Sequence, residues 1–318
     1  MLVSVVIPCY NVEDYIEECI HSAFAQTYKP IEVLCIDNNS TDNTWQKLKQ
    51  LQETYPSLII EKELKPGAPA ARNKGLVLSK GEWIQFLDAD DLLLPEKIEH
   101  QVHLIKNKPE VCFLAAASRK KHINGQSTIS IPKQDHPFKS LFTTNLGITS
   151  SNLWNKTCIN QINGWDEGQK SSQEADLMFR LLQINSQVIF DAEPLTIIQE
   201  RETGQISTKH PQDNWVRYFN KRVEILNWIK ENETKLYANH QAFFNDRLFG
   251  ILKIISNQKP DGLDTAIYLY KAYFPNGYKP SPKQEHSTQT YLFLFKALGF
   301  NYTERFKQAL ERFSAQLR

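Results

Sequence analysis

The sequence predicts an α/β fold with a mostly parallel central sheet, followed by a helical C-terminal extension. Two observations predict it. Short apolar runs alternate with helix-period segments through the first hundred residues, the pattern of right-handed β-α-β connections. Several of those runs end in polar or acidic clusters, and ligands of open α/β sheets bind beyond the carboxyl ends of the strands.

Leu2–Ile7 is short and β-branched and ends at Pro8. A helix follows between Val12 and Ala25, with Ile16, Ile20, Ala23 and Phe24 on one face. Ile31–Ile36 is a second strand, and it runs into Asp37-Asn38-Asn39-Ser40-Thr41-Asp42. A helix carrying Trp45, Leu48 and Leu51 leads to a third strand, Leu58–Lys62. Gly67-Ala68-Pro69 opens the next helix, which ends near Gly81. Glu82–Leu87 is then a buried strand that delivers Asp88, Asp90 and Asp91 within four residues. Unpaired buried charge is costly, so packing does not account for such a cluster. A solvated turn capping the next helix is one reading. The other is a site for a hard divalent cation that shares its shell with substrate phosphates.

Farther on, Pro95 starts a helix with Ile98, Val102 and Ile105 on one face. Val111–Ala117 is an apolar strand, and Asn124-Gly125 is a hairpin turn between Lys120–Ile123 and Ser127–Ile131. The run from Leu146 to Trp154 is small and polar. A helix with Leu177, Leu181 and Leu182 precedes short strands at Val188–Phe190 and Leu195–Ile198. Beyond them, Val216, Phe219, Val223 and Leu226 form an amphipathic stripe, as do Phe244, Leu248, Ile251 and Ile255, and Phe306, Leu310, Phe313 and Leu317. These stripes are expected to pack on one another or on the first domain.

At 318 residues the chain is long enough for a large domain and a smaller one. The net charge of +1 hides an asymmetry: residues 1–208 carry 20 basic and 26 acidic side chains, residues 209–318 carry 17 and 10. A basic tail of this kind can contact an anionic membrane, since each Lys or Arg near such a surface gains about 1 kcal/mol; a solvated helical face is the alternative. The five cysteines show no CxxC pair and no short spacing to His. The expectation is reduced, buried thiols, without a disulfide framework or a zinc site. Neither a signal peptide nor a spanning helix is read. GxGxxG and GxxxxGK[ST] are both missing, so phosphates must be held by metal and side chains rather than by a glycine cradle.

Four segments together resemble glycosyltransferase family 2. They are Ser4–Asn11, Asp37–Asp42, Ala71-Arg72-Asn73-Lys74-Gly75 and Leu87-Asp88-Ala89-Asp90-Asp91, in that family's order and at its spacing. Trp165-Asp166-Glu167 and Gln173–Arg180 resemble its acceptor-side segment. The match covers roughly residues 2–207. The resemblance implies a GT-A fold over residues 1–208, with a nucleotide-binding half at 1–92 and an acceptor-side half at 93–208, and leaves 209–318 as a helical region outside it.

It also implies an inverting transfer of sugar from a nucleotide-diphosphate donor, a UDP-sugar first, to a glycan or lipid-linked acceptor in envelope polysaccharide synthesis. Mn2+ or Mg2+ would sit at Asp90, with Asp88 as second ligand or ribose contact and Asp91 orienting them. Pro8, Tyr10 and Asn11 would line the base and ribose site, with Tyr10 against the base or merely closing the strand. Asp37 and Asn38 stand where relatives have Asp-Asp, and Asn38 leaves the base open because an amide donates as well as accepts. Arg72 would approach the nucleotide.

Glu174 matches the catalytic-base position, but Ser171-x-x-Glu174 is also a capping box. Trp165 and Asp166 would face the acceptor, Trp165 as a platform for a sugar or as ordinary packing, and Asp176 is the next candidate base. Gln205-Ile206-Ser207 resembles a loop closing over the diphosphate; the His usual there is at no obvious position, and Glu202 lies nearby. The expected location is cytoplasmic, at most peripheral on the inner face of the membrane, and nucleic acid is not an expected partner. A nucleotidyltransferase is the alternative enzyme, though it would carry a Gly-rich basic loop after the first strand. A non-catalytic nucleotide-sugar or carbohydrate-binding assembly protein is the other alternative.

Overall fold

The computed structural model describes residues 1–200, 211–258, 261–281 and 288–316. It divides into two compact units, Met1–Gly204 and Gln205–Arg318.

In the first unit a seven-stranded sheet has the order β10-β6-β9-β4-β1-β2-β3. Its parallel centre is β1 (Val3–Cys9), β2 (Ile31–Asp37), β3 (Ile59–Lys62) and β4 (Trp83–Phe86). Helices α1 (Ile16–Phe24), α2 (Thr44–Thr54) and α3 (Ala68–Leu78) make the crossovers. Both faces of β1 are covered, which is why it is mostly apolar rather than alternating. Val3, Val5, Ile7 and Cys9 belong to the core that also holds Ile16, Ile20 and Leu48. Val6 faces the other way, toward α3, where a Cβ on Gly75 would overlap its Cγ1. Gly75 therefore sets how closely α3 lies on the sheet.

After β4 the chain forms β5 (Leu92–Leu93), α4 (Lys97–Ile105) and β6 (Phe113–Ala116). The hairpin at Asn124-Gly125 joins β7 (Ser118–Lys121) to β8 (Ser127–Ser130), with Gly125 at φ 81°. Then come α5 (Pro137–Phe142), β9 (Leu153–Asn155), α6 (Lys156–Gln161), α7 (Gln173–Ile184), β10 (Ile189–Asp191) and β11 (Thr196–Gln199). A second sheet, β5-β11-β7-β8, pins the chain immediately after the acidic cluster. β9 lies antiparallel between β4 and β6. Sequence periodicity did not mark it, because it is three residues long and leaves a polar run.

One expectation about cysteine is corrected. Cys112 and Cys158 form a disulfide, with Cα atoms 5.4 Å apart. The β6–β9 pairing brings together residues 46 apart in sequence, and spacing alone could not show it. Cys9, Cys19 and Cys35 are free and buried, as expected.

The second unit contains α8 (Pro211–Asn232), α9 (Thr234–Ser256), α10 (Gly262–Tyr273) and α11 (Gln289–Gln316). Phe249 centres its core, with the rings of Phe295 and Phe300 at 5.2 and 5.6 Å. The kink in α11 falls at Gly299, whose φ of 71° favours glycine. The stripe expected at Phe306 and Leu310 is not buried: these side chains are 46% and 53% exposed, and the inward face carries Phe300, Thr303 and Glu304. Leu317 and the side chain of Phe313 lie outside the described residues. No described helix is long and apolar enough to cross a membrane.

Candidate active site

The carboxyl ends of β1, β2 and β4 deliver Pro8–Asn11, Asp37–Asp42 and Asp88–Asp91 to one edge of the sheet. The first two loops are tied together. Asn11 Oδ1 accepts from the Thr41 backbone N–H at 2.8 Å, and Asn11 N–H donates to Ser40 Oγ at 3.1 Å. Asn11 takes a left-handed φ of 51°, which asparagine tolerates better than most residues. Pro8 is half-buried, and Tyr10 is 51% exposed above the same edge.

Asp37 is 2% exposed, and its Oδ1 has no hydrogen-bond partner among the described residues. Buried polar atoms are seldom left unpaired, so this oxygen fits an acceptor waiting for a donor from a ligand. Its neighbour is fully engaged elsewhere. Asn38 Nδ2 donates to the Glu63 and Lys65 carbonyls at 2.8 and 2.7 Å, and its Oδ1 accepts from Gly67 N–H at 2.7 Å. Asn38 thus clamps the turn that leads into α3, a job needing both donor and acceptor. Asn38→Asp loses both donated bonds and sets a carboxylate against two carbonyls. We expect a loss of about 1–3 kcal/mol, read as a lower melting temperature. An unchanged melting temperature would contradict the clamp.

The acidic cluster lies between α3 and the segment before β9. Arg72 Nη2 meets Asp88 Oδ1 at 2.7 Å, and Nη1 donates to Gln173 Oε1 at 3.2 Å. The guanidinium stacks 4.6 Å over the ring of Trp165. Arg72 is nearly buried while the Asp88 side chain is 39% exposed, so Arg72 acts on the cleft through Asp88 and Gln173. Asp88 N–H donates to Ser150 Oγ at 3.1 Å. Asp90 is half-buried, and its carbonyl accepts from Gln199 Nε2 at 3.1 Å. Asp91 is buried and accepts from the Ser150 hydroxyl and the Gln199 backbone. Burial and the charges of Asp88 and Asp90 push its carboxyl well above the usual carboxylate range.

A divalent cation suits this set. Three carboxylates crowd one turn against one arginine, and their oxygens are the hard donors that Mg2+ and Mn2+ prefer. No group of three or more His, Cys, Asp or Glu side chains closes a metal cage among the described residues. Two carboxylates with the remaining positions left to water and phosphate is the usual arrangement for such a cation at a diphosphate.

Glu174 is the second residue of α7, so Ser171 stands one residue before the cap position that a capping box would give it. The residue before the helix is Ser172 at φ 57°, and no side-chain cap bond is made there. The Glu174 carboxylate turns instead to Thr149: Oε2 accepts from both the backbone N–H and the Oγ1 hydroxyl at 3.1 Å. Burial pushes its carboxyl up, opposed by those two bonds, while Asp88 raises it and Arg72 lowers it. Glu174, Asp88 and Arg72 therefore share one electrostatic neighbourhood.

Three acceptor-side candidates are held by packing or by other groups of the chain. Trp165 is 2% exposed and packs edge-on to Phe86 at 5.3 Å, so its face is closed to a sugar ring. Asp166 is exposed and accepts from Gly168 N–H at 2.9 Å. Asp176 is buried against Arg180 at 2.7 Å, and Arg180 also holds the Ile162 and Gly164 carbonyls. Glu202 and Gln205–Ser207 lie outside the described residues.

Sequence reasoning passed over Thr149 and Ser150, which hold Glu174 on one side and the acidic turn on the other. They are kept in place from beneath. Gln85 Nε2 donates to the Ser150 carbonyl at 2.8 Å, and Gln101 Nε2 to the Ser151 carbonyl at 3.1 Å. Lys97, wholly buried, donates to Gln85 Oε1. A polar run in the sequence that follows no surface period was the available signal.

A parallel sheet with an acidic turn beyond β4 and an antiparallel β9 inserted beside it has the GT-A form. The chain belongs to glycosyl transferase family 2, whose model matches residues 4–161. It is 38% identical over 107 residues to UDP-Glc:alpha-D-GlcNAc-diphosphoundecaprenol beta-1,3-glucosyltransferase WfaP of Escherichia coli, covering 34% of this chain and 42% of that one. It is 30% identical over 260 residues to the glycosyltransferase RP339 of Rickettsia prowazekii, covering 76% and 79%. The crystal structure of S. aureus TarS 1-349 in complex with UDP-GlcNAc superposes with a TM-score of 0.60 at 16% identity, over 98% of this chain and 92% of that one. The chain spans less than two thirds of the first curated relatives it matches, 42% of WfaP and 62% of a second Rickettsia glycosyltransferase.

Proposed function

We propose that this chain is an inverting, metal-dependent glycosyltransferase that moves a sugar from a UDP-sugar to a hydroxyl of a glycan or lipid-linked acceptor in the cell envelope. The observation that carries the reading is the position of Glu174. A carboxylate is held by Thr149 through one oxygen, and the next residue, Ser150, holds Asp88 of the acidic turn. This placement supports reading Glu174 as the base that the family resemblance implies.

The donor assignment rests on two supports. Asp37 offers a buried, unpaired oxygen at the end of β2, suited to the imide N–H of uracil, while Asn38 is taken up by its clamp. The TarS structure was obtained with UDP-GlcNAc. The acceptor class follows the printed activity of WfaP, which acts on a diphosphoundecaprenol-linked sugar.

In the reaction, Glu174 takes the proton of the acceptor hydroxyl as its oxygen attacks C1 of the donor sugar. The new C1–O bond forms on the face opposite the leaving diphosphate, and the C1–O bond to the diphosphate breaks, which inverts the anomeric centre. Asp90 and Asp88 would hold a divalent cation that neutralises charge on the departing diphosphate. Arg72 keeps Asp88 oriented, and Ser150 keeps the turn from shifting. Asp91 remains a buried support.

Incubation with a panel of nucleotide sugars and Mn2+ tests the reading. Release of UDP, by transfer or slow hydrolysis, supports it. Release of pyrophosphate from nucleoside triphosphate and sugar phosphate indicates a nucleotidyltransferase. Tight donor binding with neither product indicates a binding protein.

A further inference from the structure

The second sheet carries the hairpin away from the acidic turn, and one of its faces extends past the site described above. β11 lies beside β5, which follows that turn, with β7 next and β8 at the edge. Register sets Gln199 opposite Lys121, Ile197 opposite Arg119, and Arg119 opposite Ile129. Residues paired across strands show their side chains on the same face, and alternate residues along a strand share it. Gln199, Lys121, Arg119 and Ile129 therefore stand on one face. Gln199 Nε2 donates to the Asp90 carbonyl at 3.1 Å, so this face begins at the acidic turn and runs out to the edge strand.

Its cations are unpaired. Arg119 is half-buried and Lys121 exposed, and neither side chain has a hydrogen-bond or ion-pair partner among the described residues. On the opposite face, Lys120 and His122 are both taken up by Glu200, at 2.8 and 3.2 Å. Beyond the two cations the surface turns apolar. Ile129 and Ile131 are 50% and 56% exposed, and Ile123, just past the end of β7, is 57% exposed. Exposed apolar groups gathered in one place mark a surface that something covers. Moving out from the acidic turn, the order is carboxylates, then cations, then hydrocarbon. Neighbouring strands are about 4.8 Å apart, so β7 lies about 10 Å from β5, a span on the scale of one sugar and its first phosphate. An inorganic phosphate would use the cations and ignore the isoleucines, and a neutral chain would do the reverse. Resting on the transferase reading, we propose that this face seats the acceptor and that the acceptor is a lipid-linked diphosphate sugar. Its sugar lies between Glu174 and the acidic turn, its diphosphate on Arg119 and Lys121, and the start of its hydrocarbon chain on Ile129 and Ile131.

The test is calorimetric titration of the full chain with farnesyl diphosphate, in chelator and without donor. Pyrophosphate, which lacks the chain, and farnesol, which lacks the phosphates, are the comparison probes. Farnesyl diphosphate should bind at least tenfold more tightly than either. Lys121→Gln and Ile129→Ser should each weaken it by about tenfold, and Arg119→Gln with Lys121→Gln by more, at an unchanged melting temperature. Lys121→Gln alone carries the test if the Arg119 change disturbs folding, since Lys121 is exposed. Lys108→Gln, which removes an exposed cation elsewhere on the same unit, should bind normally. Pyrophosphate binding as tightly as farnesyl diphosphate overturns the proposal, by assigning the cations to a phosphate-rich acceptor without a lipid. Farnesol binding as tightly overturns it by removing the cations, as does normal binding by Lys121→Gln and Ile129→Ser, or no binding by the wild-type chain. No donor, metal or turnover enters the titration, so its outcome is separate from that of the UDP-release assay, on which the transferase reading stands or falls.

Discussion

Asp90→Asn is expected to lower transfer by about 10²–10³-fold, the usual cost of removing one group that stabilises developing charge. The fold should survive. Asp90 is half-buried in a turn rather than in the core, and its charge is one of those that raise the buried Asp91 carboxyl. Asparagine keeps the size of the side chain in that turn, so the melting temperature should change little. Donor binding should lose its dependence on Mn2+ together with most of its affinity. Calorimetric titration of UDP with metal, and again with chelator, reads both effects. Equal affinity for UDP in wild-type protein with and without chelator would remove the metal from the account.

Glu174→Gln is expected to lower turnover by about 10²–10⁴-fold while donor affinity stays the same, because a general base faces the acceptor and contributes about that much. Glutamine retains an oxygen that accepts from Thr149 N–H and Oγ1, so stability should change by no more than about 0.5 kcal/mol. The wild-type pH profile supplies an independent reading. Burial raises the Glu174 carboxyl, and only the ionised form takes a proton. Turnover should therefore climb as pH rises through an apparent pKa above the ordinary glutamate value of about 4.3, and fall below it. Near-normal turnover in Glu174→Gln would leave Glu174 as a structural partner of Thr149.

Residues that meet the sheet locally were legible in the sequence. β1, β2 and β4 are mostly apolar because they are buried, and their polar ends stand out for the same reason. What escaped depends on partners far away in the chain. β9 is only three residues long, and Ser150, Ser151 and Asn152 before it are buried because Gln85, Gln101 and Ala116 satisfy them. Asn38 looked like a base contact until its amide was seen to span Glu63, Lys65 and Gly67. Trp165 reads as an aromatic platform in one dimension and as the floor under Arg72 in three. The capping-box pattern at Ser171-x-x-Glu174 is likewise local, whereas Glu174 Oε2 accepts from the distant Thr149. In α11 the apolar period predicted a helix correctly but not which face is covered.

A crystal structure with UDP and Mn2+ bound tests the central claim most directly. The account predicts uracil against Asp37, the cation between Asp90 and the two phosphates, and Glu174 facing open space on the acceptor side. A nucleotide bound away from β1, β2 and β4, or a cation held by groups other than the Asp88–Asp91 turn, would contradict it.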